Sequence, residues 1–133
     1  MSAVQPTTVK VTIADASKPI TFQATGDYQT RGVSKLIYYK RGSPDDDPGI
    51  TTNLQVKDNL ADTKVLDLTG GEIKCAEVFG DYRPAPGHTR VKVTYAFLQD
   101  KNPLKTDGSC VFEQDPAGAL AQDDREFKFI VVS

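Results

Sequence analysis

Apolar and polar side chains alternate along most of this chain. In TVKVTIA, residues 8–14, Val9, Val11 and Ile13 fall on one side and Thr8, Lys10 and Thr12 on the other. In PITFQAT, residues 19–25, Ile20, Phe22 and Ala24 alternate with Thr21, Gln23 and Thr25. A period of two marks a strand with one buried face, because successive side chains of an extended backbone point to opposite sides. The turn-forming ADASKP between these runs makes them a hairpin or a corner between two sheets.

The same pattern continues. SKLIYYK (34–40) is rich in aromatic and β-branched residues, and TNLQVKD (52–58) and TKVLDLT (63–69) are shorter and less regular. GEIKCAEVFGDY (71–82) places Ile73 and Cys75 on one face. TRVKVTYAFLQ (89–99) sets Val91, Val93, Tyr95 and Phe97 against Lys92 and Thr94. GSCVFEQ (108–114) carries Cys110 in step with Phe112, and REFKFIVVS (125–133) alternates Phe127, Phe129 and Val131 with Glu126 and Lys128.

The breakers PDDDPG, TGG, RPAPG, DKNP and TDG separate eight or nine strands. This predicts an all-β fold, an antiparallel β-sandwich of the immunoglobulin-like or jelly-roll-like kind, with a barrel as the alternative. The length suits one domain over residues 1–133. One short helix is expected near 115–122, with Asp115 as cap, Pro116 in the first helical position and Ala117–Ala121 forming a turn or two. No βαβ pattern occurs, which argues against a parallel nucleotide-binding sheet.

Charge narrows the partners. Eighteen acids against 16 bases give a net charge of −2, so the basic excess expected of a nucleic-acid binder is missing. No apolar run approaches the roughly 20 residues that span a bilayer. The opening MSAVQPTTVK has no cationic stretch followed by an apolar one, so no signal peptide is read and a cytoplasmic or particle-borne protein is expected.

Four groups of residues invite a chemical reading. Asp45, Asp46 and Asp47 lie between two prolines and offer the oxygen ligands that calcium takes. Adjacent side chains diverge, however, and the spacing is not D-x-D-x-D. A solvated turn is the reading adopted, with calcium the one cofactor considered and Asp123 and Asp124 as a second acidic cluster. Cys75 and Cys110 read as buried free thiols, with a disulfide as the alternative. With one histidine they cannot complete a tetrahedral zinc site unless carboxylates join them, so no metal is assigned. A hydrolytic site would have to use His88, in the loop RPAPGHTR, but no nucleophile elbow accompanies it.

Tyr38 and Tyr39 are adjacent in a strand and must face opposite ways. One of them is expected outside, beside Arg41, and exposed tyrosine with arginine is the composition of binding surfaces. The candidate binding residues are therefore Tyr38, Tyr39, Arg41, Asp45, Asp46 and Asp47. The expected function is non-catalytic: a self-assembling structural subunit or a macromolecule-binding β-sandwich, with protein partners that include copies of itself. A calcium-assisted carbohydrate-binding, lectin-like module is the alternative, and a small hydrolase comes third.

Overall fold

The computed structural model describes residues 7–15, 18–42, 48–57, 59–66, 73–108 and 110–131. In chain order the strands are β1 (Thr7–Ile13), β2 (Ile20–Asp27), β3 (Arg31–Lys40), β4 (Ile50–Val56), β5 (Ala61–Leu66), β6 (Ile73–Arg83), β7 (Val91–Gln99), β8 (Asn102–Pro103), β9 (Lys105–Thr106), β10 (Val111–Gln114) and β11 (Ala121–Val131). They form a β-sandwich. A six-stranded sheet in the order β4-β3-β6-β11-β1-β9 packs against a second sheet, β10-β7-β2-β5, with β8 paired to β7. Pairing is antiparallel throughout the described strands except between β1 and β11, which run parallel.

The alternation in the sequence becomes the core. Val9, Val11 and Ile13 of β1, Phe22 of β2, Val91, Val93, Tyr95 and Phe97 of β7, and Phe127 and Phe129 of β11 are all buried between the sheets. Phe97 sits at the centre, with ring centroids 5.1 Å from Phe22, 4.8 Å from Phe127 and 5.0 Å from Phe129. Truncating such a buried ring typically costs about 3–5 kcal/mol.

Between the two candidate arrangements for β1 and β2, the chain adopts the corner, since β1 lies in one sheet and β2 in the other. The buried amide of Gln99 secures it. Its Oε1 accepts the backbone N–H groups of Ala14 and Asp15 at 3.2 and 3.1 Å, and its Nε2 donates to the carbonyls of Asp15 and Lys18 at 2.7 and 3.1 Å. One side chain thus bonds backbone groups on both sides of the turn by which the chain switches sheets.

Two local expectations fail. No helix forms over 115–122. After a cis Asp115–Pro116 bond, Ala117 is buried and its N–H donates to the carbonyl of Thr89 at 2.8 Å. Gly118 then takes φ +64° and β11 begins at Ala121. A tertiary hydrogen bond and a core contact outweigh the local helix signal. Cys75 also does not share the face of Ile73. Tyr39 pairs with Cys75 while Lys40 pairs with Ile73, so Lys74 is an extra residue in β6. That bulge reverses the parity: Ile73 and Ala76 point into the core, and Cys75 faces out.

The interior also holds a chain of polar groups. Ser34 Oγ lies 2.6 Å from Tyr82 Oη, which lies 2.6 Å from Tyr95 Oη, and Tyr95 donates to Asp123 Oδ2 at 3.0 Å. Each hydroxyl has one proton to give. Tyr95 gives its own to Asp123, so Tyr82 donates to Tyr95 and Ser34 to Tyr82. Arg125 Nε donates to the same Asp123 oxygen at 3.2 Å, and its Nη2 donates to the Val111 carbonyl at 3.3 Å. Ser34, Tyr82, Asp123 and Arg125 belong to the six-stranded sheet, Tyr95 and Val111 to the other, so the network ties the sheets together. Gly80 makes room for it. It stands in register between Ser34 and Asp123, and a Cβ there would come within 2.3 Å of the Tyr82 ring.

Asp123→Ala leaves the Arg125 charge buried without its partner and is expected to cost about 3–5 kcal/mol in a urea titration. Replacing both, as Asp123→Leu with Arg125→Met, recovers most of that loss. A single substitution costing under about 1 kcal/mol contradicts this account.

Candidate functional site

The outer face of the six-stranded sheet gathers the chemistry that the core excludes. Register aligns one row straight across four strands: Tyr39 of β3 pairs with Cys75 of β6, Cys75 with Lys128 of β11, and Lys128 with Lys10 of β1. Beside this row is a groove of about 500 Å³ lined by Lys10, Arg41, Lys74, Cys75, Glu126, Lys128, Phe129 and Ile130. The β6 bulge sets adjacent residues Lys74 and Cys75 into one wall. Arg41, just past β3, reaches over the start of β6 and donates from Nη2 to the Phe129 carbonyl at 3.2 Å.

The predicted residues divide. Arg41 lies in the groove, and Tyr39 ends the row beside it. Tyr38 does not belong there: it is 4% exposed, in the core. Tyr39 is half-buried rather than open, because Gly49 lies across it. A Cβ on Gly49 would come within 2.8 Å of the Tyr39 ring, and the residue holds φ +77°. Asp45, Asp46 and Asp47 lie outside the described residues. Tyr38, Tyr82 and Tyr95 are all core residues. Tyr28 is partly exposed, with the Arg90 guanidinium 4.5 Å above its ring.

The remaining candidates are dispersed. Asp123 and Asp124 are adjacent on β11 and so face opposite ways, with Asp123 buried in the polar network and Asp124 partly exposed. Cys75 and Cys110 are both free; Cys75 is on the six-stranded sheet, and Cys110 precedes β10 of the other. Burial pushes both thiols up, and the Glu126 carboxylate adds to the effect at Cys75. Such a thiol is the reverse of an activated thiolate. His88 is exposed in a turn closed by its own N–H and the Ala85 carbonyl at 2.9 Å. Among the described residues, no group of three or more His, Cys, Asp or Glu side chains could hold a metal ion. No helix of the described residues is long and apolar enough to cross a membrane.

Burial pushes the Tyr82 phenol up to about 12 and raises that of Tyr95 as well, helped by Tyr82 and Asp123. Perturbed groups in a cleft mark active sites, but these lie inside the sandwich with their hydrogen bonds satisfied.

Charge is graded along the outer face. The groove end is cationic. One row further along, Glu126 and Glu77 stand directly opposite each other on β11 and β6, followed by Asp124 opposite Phe79. Lys128 Nζ approaches Glu126 at 3.9 Å, across the boundary. Lys10, Lys74 and Lys128 carried no signal as a group in the sequence, because only the parallel β1–β11 register and the bulge bring them together. No protein-family model, curated protein or solved structure matches this chain.

The carboxyl of Glu77 is pushed up by burial first, then by the charges of Asp124 and Glu126. A carboxyl with a higher pKa folded than unfolded contributes its stability below the unfolded value of 4.5 and loses it as pH rises through the folded one. Glu77→Gln is therefore expected to raise Tm at neutral pH and to leave it unchanged near pH 3, as read by thermal scans. A fall in Tm at neutral pH contradicts the assignment.

Proposed function

We propose that the chain is a non-catalytic β-sandwich module that takes an acidic segment of a protein partner into the groove between Lys10, Lys74 and Lys128. The lining carries this reading. Three ammonium groups and the Arg41 guanidinium meet a single carboxylate, Glu126, over an apolar floor that includes Cys75 and the partly exposed Ile130. A volume of about 500 Å³ is in the range that holds several side chains. A peptide can offer carboxylates to the cationic rim and an apolar group to the floor. A nucleic-acid backbone offers no such apolar group, and it would run onto Glu126, Glu77 and Asp124 beside the groove. The acidic run Asp45–Asp47 makes a second copy of this chain one protein that qualifies, which keeps self-assembly within the reading.

A fluorescent peptide of alternating Asp and Leu tests this at low ionic strength. The wild type is expected to bind it, and a Lys-Leu peptide of equal length is expected not to bind. Lys10→Glu with Lys128→Glu should weaken the complex about tenfold or more, which is about 1.4 kcal/mol. Raising salt to about 0.5 M should weaken the wild-type complex as screening shortens. Failure of the wild type to bind the acidic peptide at low salt rejects the reading. Light scattering across a concentration series then shows whether a second copy is a partner.

A further inference from the structure

We propose that Arg31 and Arg83, at the far end of the same face from the lysine groove, form a binding site for a tetrahedral oxyanion of the phosphate class. The chain has five arginines, and three are engaged. Arg125 pairs with Asp123 in the core, Arg90 pairs with Glu113 and covers the Tyr28 ring, and Arg41 donates to the Phe129 carbonyl. The two that remain stand directly opposite each other, Arg31 on β3 and Arg83 on β6. Both are exposed. Among the described residues, neither guanidinium has a hydrogen bond or an ion pair.

Like charges in direct cross-strand register repel, and here the backbone holds them together. Gly32, next to Arg31, takes φ +148°, and a Cβ on it would fall 2.0 Å from the Asp81 carbonyl oxygen and 2.9 Å from the Tyr82 Cα. β3 is thus pressed onto β6 at the residue beside the pair. The side of the site is equally fixed. Arg83 is followed by Pro84, and Pro86 lies beyond Ala85, which is buried and anchors the loop. These prolines, with Val33 and Asp81, bound a groove of about 610 Å³ that includes both arginines.

The chemistry selects the ligand. One guanidinium fork already matches the two oxygens of a carboxylate. Two forks from adjacent strands present donors to more oxygens than a carboxylate has, and their two positive charges suit a doubly charged anion. A phosphate or phosphate monoester supplies both. Asp81 is the one carboxylate at the groove, and its Oδ1 accepts a hydrogen bond from Gln122 Nε2 at 3.0 Å. Its charge opposes the anion and sets an upper limit on affinity. The lysine groove differs in having an apolar floor and single-point ammonium donors, so the two sites are separable.

The test is a titration with inorganic phosphate near pH 7.5 at constant ionic strength, followed through the arginine Nε–H resonances by NMR. Saturable shifts of Arg31 and Arg83 are expected, with no comparable response to acetate. Arg31→Gln or Arg83→Gln should weaken binding about tenfold, with Tm unchanged or raised as the like-charge repulsion is relieved. Asp81→Asn should tighten it. A phosphoserine peptide distinguishes the sources: binding tighter than inorganic phosphate assigns the site to a phosphorylated partner, and equal binding assigns it to a free phosphate ester. An equal response to acetate, or an unchanged phosphate titration in both arginine variants, overturns the proposal.

Discussion

The constraint that shapes both sheets is a charge pair held where charge is least welcome. Asp123 and Arg125 occupy inward positions of β11, at the interface of two apolar sheets. Transferring either ion alone out of water costs several kcal/mol even after relaxation. The cost is met only because every donor and acceptor nearby is used: Tyr95, Tyr82 and Ser34 deliver a relay of hydroxyls, and Val111 supplies a carbonyl. No buried side-chain nitrogen or oxygen of the described residues lacks a partner. Apolar packing tolerates small slips, but a satisfied polar chain does not. The network therefore fixes how the sheets register on each other, and with it the layout of the outer face.

That layout is a consequence of inward constraints. Once Ser34, Gly80 and Asp123 align across β3, β6 and β11, the alternate positions fall outward in rows. The rows place cations at one end, carboxylates in the middle and two arginines at the other end. The two grooves described on this face are open to solvent and lined largely by charged side chains.

Much of the fold was legible from period alone. Val9, Val11 and Ile13, or Val91 through Phe97, alternate so regularly that burial of one face follows from their spacing. What escaped was set by partners distant in sequence. The helix signal at 115–122 rests on local preferences, and the bond from Ala117 to Thr89 overrides them. The parity of Cys75 depends on a bulge that Lys40 and Ile73 define together. Asp123 reads as half of an acidic cluster with Asp124 until Arg125, two positions on, is seen to share its face. The candidate site was legible only in part: Arg41 lies in the groove, Tyr38 went to the core, and the lysines and the arginine pair became neighbours only through strand order.

The parallel pairing of β1 with β11 has a bearing on how the molecule comes into being. β11 lies inside its sheet, between β6 and β1, yet it is the last of the described strands to leave the ribosome. Until it emerges, β1 has only the two residues of β9 to pair with, and most of its ladder is unmade. Closure of the larger sheet must then wait for β11, and the segment enclosed between β1 and β11 contains all the other described strands. A contact of such high sequence separation forms slowly, and the larger sheet stays open beyond β6 until it does.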